Sequence, residues 1–187
     1  MYSRIGTAQD IEFEKYHDYQ LVEILEDRMA AAKVNPEAVS DETLAGIADA
    51  ADRDARKAIA TLRNALDIVL IDDTESVTDP IIERARQKAE VDIARLRMSS
   101  LTDQQMAVLK VLADIEPATS GTIYDEYERR IDDPSVSRTV RGWLSTKFPQ
   151  YNLVTILEDE HPQEYELTEA VREMWSETLR GCFERAS

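Results

Sequence analysis

Apolar residues recur at three- and four-residue intervals from about Tyr16 to residue 150, the period of amphipathic helices. Asp18 is placed to cap a first helix running to about Ala32, with Leu21, Ile24, Leu25 and Met29 as its apolar stripe. Ser40 reads as the cap of a second helix, with Asp41 and Glu42 near the positive end of its dipole. The stretch Asp52 to Asp67, DRDARKAIATLRNALD, predicts a third. Thr78-Asp79-Pro80 opens a long fourth, with Pro in the first turn, where its missing N–H costs nothing. The stripe of this fourth helix is Ile81, Ile82, Ala85, Ala89, Ile93 and Leu96. Together these four predict a compact helical unit.

Met98-Ser99-Ser100 is the expected boundary. Beyond it, Thr102-x-x-Gln105 reads as a capping box that opens a new helix. A second helix is expected from about Thr122 to Arg130 and a third from about Val136 to Lys147. Tyr151–Leu157 is β-rich, EDEHPQ reads as a turn, and EYEL as a short return strand. Helix, helix, helix, hairpin is the winged-helix order. A last helix, about Glu169 to Arg185, carries Val171, Met174, Trp175, Leu179, Cys182 and Phe183. The expected fold is mainly α: a four-helix unit over about residues 11–97, then a winged helix with a small β-hairpin over about 100–187.

Two surfaces stand out chemically. On the third helix, Ala55, Ala58, Ile59, Leu62, Ala65, Leu66 and Val69 share one face, while Arg53, Arg56, Lys57 and Arg63 share the other. Such a face is either a solvated surface whose arginines pair with nearby carboxylates, or a helix that offers an arginine to a phosphate. The other surface lies between Pro134 and Leu157, where there is no Asp or Glu. Within that run Val136, Val140, Trp143 and Leu144 are expected in the core, with Arg138, Arg141 and Ser145 facing outward. Arginine on such a face can take guanine or phosphate in the major groove. Ser135, Ser137 and Thr139, near the helix start, can donate to phosphate oxygens, and Lys147 adds a cation at the far end. The expected hairpin tip, with Glu158, Asp159 and Glu160, is acidic and argues against a second DNA contact there.

Composition sharpens this reading. The 187 residues carry 38 acids against 22 bases, a net charge of −16. Sixteen of the bases are Arg and six are Lys. An acid excess with sparse lysine suits a salt-accumulating halophile, whose acids keep the surface hydrated; an ordinary acidic interaction protein is the alternative. No apolar run approaches the ~18 residues of a membrane span, and MYSRIGTAQD has no apolar core, so a cytoplasmic protein is expected. The single Cys182 cannot form an internal disulfide, and His17 and His161 lie far apart without partners at ligand spacing, so no metal site is expected. No nucleophile–base pair can be assembled, so no enzyme is expected.

Several segments carry a resemblance. DARKAIATLR (Asp54–Arg63) resembles the sensor-2 helix in the lid of the Orc/Cdc-type replication-initiator ATPases of archaea and eukaryotes. IEFEKYHDYQLVEILEDR (Ile11–Arg28) is similar to the segment that leads into that lid. LTDQQMAVLKVL, GTIYDEYERR and VSRTVRGWLSTK resemble the family's C-terminal winged helix. The resemblance implies a DNA-binding, replication-initiator-like protein acting in origin recognition or its regulation, with double-stranded DNA as partner. It also assigns to Arg56 the role of sensing the γ-phosphate of ATP. The family usually has Gly before the Asp, where this chain has Arg53. Its full-length members carry a nucleotide-binding module ahead of the lid. Here nothing matches G-x-x-x-x-G-K-[ST], and Gly6, Gly46, Gly121, Gly142 and Gly181 are scattered. The chain is therefore expected not to hydrolyse ATP and to hold no cofactor, with ATP meeting Arg56 only if another chain supplies the ATPase core. Two alternatives stay open: a module that docks on a full-length initiator ATPase, and a winged-helix transcription regulator whose helical unit pairs with a second copy.

Overall fold

In the computed structural model, residues 15–35, 38–157 and 162–184 are described, with side chains described only up to residue 176. The chain divides into two compact units between Arg86 and Gln87.

The first unit contains α1 (Asp18–Ala32), α2 (Asp41–Ala50), α3 (Ala55–Ile71) and the opening turns of α4 (Asp79–Ser99). His17, not Asp18, occupies the cap of α1, and its backbone N–H donates to Oε1 of Gln20 at 2.9 Å. Ser40 caps α2 as expected, its Oγ accepting the Thr43 N–H at 3.1 Å. Asp54 caps α3 by accepting the N–H groups of Arg56 at 2.8 Å and Lys57 at 3.3 Å. In α4 the Ile82 N–H reaches the Thr78 carbonyl at 2.9 Å, with Pro80 in the first turn. The core is built from Leu21, Leu25 and Met29 of α1, Leu44 and Ile47 of α2, Ala58, Leu62, Ala65 and Ile68 of α3, and Ile81 and Ala85 of α4. The buried side of α3 is broader than its apolar stripe, since Thr61 and Asn64 are buried as well.

The second unit holds the rest of α4, α5 (Asp103–Ile115), β1 (Ala118–Thr119), α6 (Ser120–Arg130) and α7 (Ser137–Gly142). A π-helical turn, Trp143–Lys147, leads on to α8 (Phe148–Gln150), β2 (Val154–Leu157), β3 (Glu164–Leu167) and α9 (Glu169–Glu184). The expected hairpin is β2 with β3, in antiparallel register from Val154 opposite Leu167 to Leu157 opposite Glu164. The unexpected strand is β1, two residues long, which pairs Ala118 with Tyr165 and makes the sheet order β1-β3-β2. The division of units falls inside α4, ahead of the expected Met98–Ser100 break, because Val91, Ala94 and Met98 join the core of the second unit. Leu96, expected on the stripe, is 65% exposed. Val108, Leu109 and Leu112 of α5, Ile123 and Tyr127 of α6, Val140, Leu144 and Phe148 complete that core with Val154, Leu167 and Val171. The whole is mainly α: a helical lid-like unit followed by a winged helix. Glu158, Asp159, Glu160 and His161 lie outside the described residues, as do the side chains of Leu179, Cys182 and Phe183. No helix among the described residues is long and apolar enough to cross a membrane.

Candidate nucleic-acid interface

The turn between α6 and α7 is pinned from beneath. The Gln104 amide donates to the Asp133 carbonyl at 2.8 Å, and its oxygen accepts the Ser135 hydroxyl. The phenolic oxygen of Tyr127, a fully buried residue, accepts the Ser135 N–H at 3.0 Å. Beside it, burial and a hydrogen bond to Glu128 push the Tyr124 phenol up from its ordinary pKa. These contacts order the backbone that leads into α7, so the helix is presented by a fixed turn.

From there the candidate residues separate. Arg138, Thr139, Arg141 and Ser145 are exposed, together with Gly142 and Thr146. Among the described residues, neither Arg138 nor Arg141 has an acidic partner. Ser137, the first residue of α7, is half-buried. Ser135 is also half-buried, and its hydroxyl proton is already given to Gln104. Lys147 turns inward: its Nζ donates to Oε1 of Gln105 at 3.0 Å and stands 5.5 Å from the Tyr151 ring centroid. Seven residues after Val140 and three after Leu144, Lys147 falls on the buried side of its helix, a signal already present in the spacing.

Val140 and Leu144 are fully buried and Trp143 packs against the core, as the pattern predicts. Val136 does not: it is 66% exposed. It precedes the helix as its cap, with extended backbone angles, so helical spacing does not govern its direction.

On the first unit, Arg56 is exposed in the first turn of α3, and among the described residues its guanidinium has no partner. Arg63 is exposed too, and Lys57 is half-buried. Arg53, placed by the pattern on the same helix face, lies outside the helix. It sits in the turn before Asp54 with φ of 60°, after Asp52 at 49°. This is the left-handed region that glycine occupies without strain. Among the described residues, no group of three or more His, Cys, Asp or Glu is placed to hold a metal ion.

No protein-family model matches the chain. It is 34% identical over 168 residues to ORC1-type DNA replication protein 9 of Halobacterium salinarum, covering 90% of this chain and 47% of the relative. It is 29% identical over 140 residues to ORC1-type DNA replication protein 1 of the same organism, covering 75% of this chain and 45% of the relative. With ORC1-type DNA replication protein 2 of Haloarcula marismortui it shares 30% identity over 164 residues, covering 81% and 39%. Among solved structures, the Aeropyrum pernix ORC1 protein in complex with DNA matches with a TM-score of 0.65 and 26% identity, over 88% of this chain and 48% of that one. The chain thus spans about half the length, or less, of the relatives it matches. Fold, sequence and the order of its lid and winged-helix segments agree: the chain belongs to the ORC1-type DNA replication protein family.

Proposed function

We propose that this chain binds double-stranded DNA through the exposed face of α7, as a replication-initiator-like protein that does not itself hydrolyse ATP. The observation that carries the reading is the pair Arg138 and Arg141. Both are exposed and unpaired among the described residues, inside a run free of acids in a chain of net charge −16. In a molecule with so many carboxylates, two unneutralised guanidinium groups on one short helix are suited to an anionic partner. The similarity to an ORC1 protein solved with DNA supports the same partner. Thr139 and Ser145 extend the surface with hydroxyls. Ser137 is in reach at the helix start, while Ser135 and Lys147 support the surface from within. The cytoplasm, where origin DNA lies, is the proposed location.

Titration of the full chain into duplex DNA across a KCl series tests this. Replacing Arg138 and Arg141 with Ala lowers affinity and flattens the salt dependence by about 0.9 in log–log slope per lost phosphate contact. Absence of duplex binding by the folded native chain at low salt overturns the proposal.

A second reading rests on Arg56. Exposed and unpartnered among the described residues, it can meet the phosphate of a nucleotide held by an ATPase core on another chain. In that reading the lid-like unit docks on a full-length initiator. Calorimetry with a full-length initiator, with and without ATP, distinguishes it: docking that is ATP-dependent in native chain and ATP-independent in Arg56→Ala supports it, and no docking removes it.

A further inference from the structure

The exposed face of α7 contains a glycine for which the fold has no use. Gly142 has φ −63° and ψ −35°, ordinary right-handed helix, so no left-handed turn requires it. A Cβ built there meets nothing within 4 Å, so no close approach inside the chain requires it either. Glycine in a helix is less stable than alanine, through backbone entropy, and here nothing within the described structure offsets that loss. Its exposed neighbours are of two lengths. Arg138 and Arg141 are long; Thr139, Ser145 and Thr146 are short.

We infer that Gly142 is a close-approach position that lets α7 seat deeply in the major groove. This rests on the DNA-binding reading above. Without a Cβ, the helix backbone can approach the base-pair edges by about one methyl group more than alanine allows. That depth matters most for the short side chains. Hydroxyls of Thr139, Ser145 and Thr146 reach base edges only if the helix axis is close, whereas the arginines span to phosphates from a shallower position as well. Gly142 is therefore a specificity-determining residue: it serves base readout, and the arginines serve overall affinity.

The experiment uses the full chain, duplexes selected by the native protein from a random pool, and unselected duplex as control. Gly142→Ala and Gly142→Leu both improve helix propensity, so both are expected to raise Tm. Binding to the selected duplex is expected to fall, modestly for Ala and roughly tenfold or more for Leu, the scale of a lost base contact. Binding to unselected duplex at low salt, and the salt slope, stay as in the native chain. Arg138→Ala with Arg141→Ala, in contrast, lowers both kinds of binding and the slope. If Gly142→Leu binds the selected duplex as tightly as native chain while the arginine variant loses binding, the inference fails and the DNA reading stands. A selection that returns no sequence preference also overturns the inference. If native chain binds no duplex at all, the DNA reading itself fails.

Discussion

The Lys147 ammonium donates to Oε1 of Gln105 at 3.0 Å, and the same oxygen accepts the backbone N–H of Thr102 at 3.2 Å. One amide oxygen thus closes the capping box of α5 and holds the end of the π-helical turn that follows α7. Gln105 is only 6% exposed, so these bonds are partly shielded from water. Gln105→Ala is expected to cost about 1–2 kcal/mol, from the lost cap and an orphaned Lys147. Gln105→Glu keeps the acceptor and adds charge opposite Lys147, so thermal unfolding should rank it above the Ala variant. Lys147→Ala should lower stability yet leave the salt slope of DNA binding unchanged, since this cation is turned inward.

Arg53 adopts φ of 60° immediately before the Asp54 cap. A left-handed residue with a Cβ costs roughly 1–2 kcal/mol, part of which glycine returns as backbone entropy. Arg53→Gly is therefore expected to stabilise the chain by about 0.5–1 kcal/mol in denaturant unfolding. Arg53→Ala, which keeps the Cβ, should give no such gain.

Arg56 makes its structural contribution through its backbone, whose N–H is held by Asp54. Its side chain is exposed and, among the described residues, unpaired. Arg56→Ala should change stability by less than about 0.5 kcal/mol. Calorimetry of the isolated chain with ATP and Mg²⁺ should show no micromolar binding. Asp54→Ala, which removes the cap, should by contrast cost about 1 kcal/mol.

Glu116 joins three elements of the winged helix. It follows α5, accepts the Leu167 N–H of β3, and accepts Nε of Arg172 in α9 at 2.7 Å. Arg172 also donates Nη2 to Glu166 at 3.0 Å. The bond to Glu116, with that to Glu166, raises the guanidinium's already high pKa, so Arg172 keeps its charge at any working pH. Glu116→Ala should cost about 1.5–3 kcal/mol, since it removes charge-assisted bonds and leaves a strand N–H without its acceptor. Faster amide exchange at Leu167 is the local readout.

The features of this chain that its residue pattern encodes directly are local ones. Ser40 as a cap, the Thr102–Gln105 box and Pro80 in a first turn were legible because each depends on hydrogen bonds or dihedral preferences within a few residues. The buried set of α1 and the core pair Val140 and Leu144 follow from helical period alone. The other features depend on packing between distant segments. Two residues of β1 carry too little pattern to be seen, and exist as a strand because β3 offers them an open edge. Val136 left the expected core because the helix begins after it, and Arg53 left the helix face because the chain turns left-handed there. Ser135, separated from Gln104 by a whole helix and turn, lost its free hydroxyl to a contact that no local spacing encodes. Leu96 is exposed because within the second unit α4 buries Val91, Ala94 and Met98, a face that Leu96 does not share. A periodic stripe fixes one direction around a helix, and only the partners packed along it decide where that direction changes.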